Sequence, residues 1–141
     1  MKIENDLVKQ VFTGGILIFP FIVLYFISHI LLEDYYLFDW TANHGYLFIW
    51  LLVFLFVFLK KYLLAAAISI GNIIGIIIGQ FLGDFIRTEN MKTVTDSMTG
   101  EEKYRLQHHP GFEIWLICLL IVFILMLFLQ NSIQKNKNKL S

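Results

Sequence analysis

With a single cysteine, Cys118, the chain cannot close an intrachain disulfide. It has no CxxC pair, no serine nucleophile elbow, no phosphate-binding glycine loop and no dense histidine array of the kind a membrane di-iron oxidase carries. An enzyme is therefore not expected, and no residue is given a catalytic role. Charge of one sign is also missing: 11 Lys and Arg balance 11 Asp and Glu in 141 residues. A net charge of zero leaves no basic face for nucleic acid. No stretch is polar enough, for long enough, to make a separate soluble domain.

What is present is apolar. Hydrophobic residues make up 57% of the chain and aromatics 16%, beyond the range of an ordinary soluble domain. About 20 apolar residues cross about 30 Å of hydrocarbon, and the chain offers spans at about 11–32, 40–59, 62–86 and 111–130. The expected fold class is all-α: one polytopic integral membrane domain over 1–141, its four transmembrane helices in a compact antiparallel bundle. Span two is the weakest. Its strictly apolar part, Tyr46 to Leu59, covers only about 21 Å at 1.5 Å per residue. It must recruit Trp40 to Gly45, either as continued helix or as a break lining a shielded cavity. Its bulky side chains place it at the periphery. In span one, Pro20 removes a backbone hydrogen bond and predicts a bend, with Gly14 and Gly15 loosening the end before it. Val11 to Leu32 is too long for a signal-peptide core and reads as a retained span.

Lys60 and Lys61 leave almost no loop between spans two and three, so those spans form a helical hairpin. The polar outer loop 87–110 has structure of its own. Thr99 followed three residues later by Glu102 is a capping box and predicts a short extramembrane helix at about 100–107. Pro110 suits the first turn of span four, and residues 131–141 read as a frayed cytoplasmic tail. With the amino terminus inside, seven lysines (2, 9, 60, 61, 135, 137 and 139) face four outer bases, Arg87, Lys92, Lys103 and Arg105. Both termini are thus expected in the cytoplasm, with the protein in the plasma membrane. Frequent Ile, Lys and Asn with only two Arg point to an AT-rich bacterial genome.

Span three carries the most pronounced pattern: Gly71, Gly75, Gly79 and Gly83 recur every fourth residue, with Ala67 one step earlier. Inside a bilayer helices associate by close backbone approach, which small residues four apart permit. The row either nests against span one or two, or meets its own copy across a two-fold axis. Asn72, Gln80 and Asp84 form a polar face beside it, and Ile74, Ile77, Ile78, Phe81 and Phe85 a bulky one. Asn72 and Gln80 supply interhelical hydrogen bonds. Asp84 either pairs with Arg87, three residues on, or serves as a functional carboxylate.

Topology collects His29, His44, His108 and His109 on the outer side, together with Asp84 and Glu113. His109 and Glu113 are four apart and share a face if the helix begins by His109. Imidazole and carboxylate together hold a divalent transition metal or pass protons near neutral pH, although interfacial histidines also serve purely structural roles. Small multidrug transporters of four spans carry a glutamate in span one, and dimeric fluoride channels a phenylalanine-and-threonine signature. Neither feature occurs here. The expected function is an outer His/Asp/Glu pocket that binds or conducts a small cation or proton, in a bundle that self-associates through span three. The alternative is a non-transporting accessory or regulatory subunit that docks on a larger membrane protein through the glycine face. The lipid bilayer is the partner common to both.

Overall fold

The computed structural model describes the backbone of residues 2–140 and the side chains of residues 5–135. Lys2, Lys137 and Lys139, which enter the charge count, lie outside the described side chains. Six helices follow one another: α1 (Lys2–Ile30), α2 (Tyr36–Asn43), α3 (Ile49–Phe58), α4 (Tyr62–Met91), α5 (Gly100–Gln107) and α6 (Gly111–Leu140). Three of them, α1, α4 and α6, are each long and apolar enough to cross a membrane. Tyr36–Asn43 and Gly45–Phe58 are long and apolar enough only when taken together, and they are bent by 58° at their break, the geometry of a broken span or a re-entrant loop.

The largest helix contact joins α4 to α6, and the glycine row makes it. A Cβ on Gly75 would stand 2.8 Å from the Trp115 ring and 2.9 Å from its carbonyl oxygen, and one on Gly71 3.3 Å from Val122. Ala67 is fully buried on the same helix. From the sequence, this row meets span one, span two or a second copy; instead α6 of the same chain covers it. The physical reason lies in α6 itself, whose first residue is also a glycine and lets the two backbones touch. Within the chain, α6 thus fills the glycine face. The bulky face is as expected, with Ile74, Ile77, Ile78, Phe81 and Phe85 all exposed.

The second apolar segment is a broken one. Its helix starts earlier than expected, at Tyr36, stops at Asn43 and resumes at Ile49. Between them Gly45, Tyr46, Leu47 and Phe48 all have φ between 49° and 57°, a single left-handed turn. Only the first of the four is a residue that adopts such values freely. The α3 piece is not peripheral. Ile49, Val53 and Val57, four apart, are buried in contacts with α4 and α1, the signal its many phenylalanines obscure. Gly14 of α1 approaches Phe54 closely, and α1 runs as one helix through Pro20.

The hairpin between α3 and α4 closes with Lys60 at φ 56°. Its amide donates to Val57 and that of Lys61 to Phe56, the paired bonds of a Schellman helix end. Lys60 Nζ also reaches Asp6 at 3.1 Å, both side chains being exposed. The capping box at Thr99 and Glu102 is present and α5 occupies the expected residues. Pro110 stands one residue ahead of α6, its carbonyl accepting from the Ile114 amide. Beyond Gln130, where the sequence suggests a frayed tail, α6 continues through the polar residues to Leu140. Helix extension costs little once nucleated, and Lys and Gln are good helix formers.

Candidate functional site

Gln80 and Asp84 lie one turn apart on α4 and so share a face. Gln80 Nε2 donates to Asp84 Oδ2 at 2.6 Å, while Gln80 Oε1 accepts from the backbone amide of Leu37 at 2.6 Å. Leu37 belongs to the first turn of α2, whose amides have no intrahelical acceptor and whose preceding residue, Tyr35, supplies no side-chain cap. Gln80, nearly fully buried, thus caps α2 from another helix.

On the other side of the carboxylate, His109 Nε2 stands 3.1 Å from Asp84 Oδ1, and His109 Nδ1 accepts from the Gly111 amide at 3.1 Å. Since Nδ1 accepts, the hydrogen of the neutral ring sits on Nε2 and is donated to Asp84. The bonds therefore run from both ends toward one carboxylate: Gly111 to His109 to Asp84, and Leu37 to Gln80 to Asp84. The His109 side chain is 4% exposed and that of Asp84 44%, so the acid is where the network meets its surroundings. Two glycines make room for the ring. A Cβ on Gly111 would lie 2.6 Å from His109 Cε1, and one on Gly83 would collide with the same atom. The Tyr36 ring covers a further side, 4.6 Å between centroids. Gly83, the last step of the small-residue row, is thus part of the seat of an imidazole.

Several expected pairings differ. Arg87 does not pair with Asp84, because His109 and Gln80 hold that carboxylate; among the described residues Arg87 forms no ion pair. Glu113 pairs with His108 at 2.9 Å, not with His109. The helix begins only at Gly111, and Pro110 disfavours helical backbone at His109, so the two adjacent rings part: His108 stays at the surface and His109 turns inward. His29 packs edge-on to Tyr25, and His44 stacks on Trp40 with Nδ1 2.7 Å from the Trp40 carbonyl. The four histidines are not gathered. Among the described residues no three of His, Cys, Asp and Glu, the expected His29, His44, His108 and His109 included, are placed to hold a metal ion.

Deeper in the α4–α6 contact, Trp115 Nε1 donates to Asn72 Oδ1 at 3.2 Å, with both residues fully buried. Sequence reasoning found Asn72 but not Trp115, nor the α2 amide that Gln80 caps. The signals were there in part: α2 opens without a capping side chain, and a tryptophan in an apolar helix carries one N–H that needs an acceptor. No family model, no curated protein and no solved structure matches the chain.

Proposed function

We propose that this is a polytopic membrane protein with a proton-responsive site at His109 and Asp84, on the face that is external when the amino terminus is cytoplasmic. The observation that carries this reading is the direction of the network. Gly111 already donates to His109 Nδ1, so an imidazolium, which carries hydrogens on both nitrogens, cannot keep that bond. Uptake of a proton breaks the tie between His109 and the start of α6 while strengthening its attraction to Asp84. Imidazole is the side chain that changes charge near neutral pH. The cavity that His109 borders is also lined by Tyr36 from α2, Arg87 from α4, and Tyr104, Gln107 and His108 from the α5 side, and the Glu113 carboxylate is within electrostatic reach of His109.

Uptake fits better than passage. From Gln80 to Asn72 is about 12 Å along α4, and that interval is filled by Ile76 and Trp115, both fully buried. The accessory-subunit alternative would have to use the bulky face of α4, since α6 covers the glycines. The test is a histidine-selective NMR titration in detergent alongside proton flux in liposomes. We expect a His109 resonance that changes with pH and is absent in His109→Gln, and flux equal to that of empty vesicles. A His109 signal that never changes sinks the proton reading, and steady flux replaces uptake with conduction.

A further inference from the structure

We propose that the cavity beside this network, lined by Tyr36, Arg87, Tyr104, Gln107, His108 and His109, is a binding site for a phosphate-bearing anion, and that its natural occupant is the headgroup of an anionic phospholipid. The cavity is about 300 Å³, large enough for a phosphate and part of a glycerol. No carboxylate lines it. Asp84 is turned to His109 and Gln80, and Glu113 is held on Nε2 of His108. That arrangement leaves the Arg87 guanidinium, a planar fork suited to two phosphate oxygens, without a counter-ion among the described residues. Tyr36 and Tyr104 add hydroxyl donors and Gln107 an amide. His109 serves as a wall, both its nitrogens being engaged.

Depth favours a lipid. Phe85, two residues before Arg87, is 62% exposed and ends the bulky face of α4, which with Ile74, Ile77, Ile78 and Phe81 is apolar and exposed up to this point. Arg87 then emerges where a bilayer places its phosphates, flanked by the two tyrosines usual at that level. The inference rests on α4 crossing a bilayer and not on the proton reading.

Native mass spectrometry of the full chain in detergent, with phosphatidylglycerol, phosphatidylcholine or inorganic phosphate as the added probe, tests it. Wild type is expected to retain one phosphatidylglycerol in preference to phosphatidylcholine. Arg87→Gln should lower that retention about tenfold, the loss of one charge-assisted contact, with Arg87→Lys in between. Arg105→Gln, a nearby base that does not line this cavity, should change nothing. If inorganic phosphate binds in an Arg87-dependent way and the lipid does not, the anion site stands and its source is soluble. Equal lipid retention by wild type and Arg87→Gln, or an equal loss in Arg105→Gln, overturns the proposal. Arg87 is exposed, so its replacement is not expected to unfold the chain, and an unchanged circular dichroism spectrum checks this.

Discussion

The backbones of Gly79 and Gly111 touch. A Cβ on Gly79 would stand 2.5 Å from the Gly111 carbonyl oxygen, and one on Gly111 2.8 Å from that of Gly79. Each glycine is required by the other, and together they set the distance at which α4 and α6 cross. That crossing brings His109 within reach of Asp84 on one side and Trp115 within reach of Asn72 on the other.

Gly79→Ala and Gly111→Ala should each cost about 1–3 kcal/mol, the usual penalty for overpacking a close contact. Gly15→Ala, where a Cβ meets nothing within 4 Å, should be neutral or slightly stabilising. Unfolding in mixed detergent and dodecyl sulfate reads all three. Should Gly79→Ala match Gly15→Ala, the close approach is absent in the folded protein. The double change Gly75→Leu with Gly79→Leu should abolish folding and not merely dissociate subunits.

Asn72 and Trp115 should show a coupling of about 0.6–1.7 kcal/mol, the range for hydrogen bonds between membrane helices. A double-mutant cycle with Asn72→Ala and Trp115→Phe isolates that interaction from the cavity each change leaves. A coupling near zero would mean that Trp115 is held by packing alone.

Two left-handed positions make opposite predictions. Lys60 at φ 56° lacks the freedom of glycine, so Lys60→Gly should relieve about 1–2 kcal/mol of backbone strain. Against that stands only an exposed ion pair with Asp6, worth about 0–1 kcal/mol, and the net is a gain. Gly45 at φ 55° faces open space, yet Gly45→Ala should destabilise by about 1 kcal/mol on backbone grounds alone. Thermal unfolding of both variants checks the sign of each shift.

The capping box predicts a local pH dependence. The Thr99 amide, then the Thr99 hydroxyl, hold the Glu102 carboxyl below its ordinary value of 4.5, through bonds of 2.8 and 2.9 Å. A depressed carboxyl stabilises the folded form above its unfolded value, and that contribution is lost as pH falls through the folded one. Amide exchange in α5, corrected for intrinsic rates, should be slow near neutral pH and speed up below about pH 4. Glu102→Gln should show little such dependence. A wild-type profile no steeper than that of the variant would remove Glu102 as the cause.

What depends on neighbours along one helix is legible in the amino-acid order. Apolar length marks α1, α4 and α6; a three-residue spacing marks the start of α5; a four-residue spacing marks which face of α4 admits close contact; and two lysines mark a hairpin. These are periodicities of 1.5 Å and 100° per residue, and they are legible because both ends of each interaction lie within a turn or two. Which helix fills the glycine row, that His109 and not Arg87 reaches Asp84, that Gln80 caps α2, and that Gly45 to Phe48 turn left-handed in the middle of an apolar run emerge only in the folded bundle. Each of those outcomes depends on groups brought together from distant segments. A hydrogen bond made by Gln80 or His109 is worth making only where burial has removed water as the competing partner, and burial is a property of the assembled bundle.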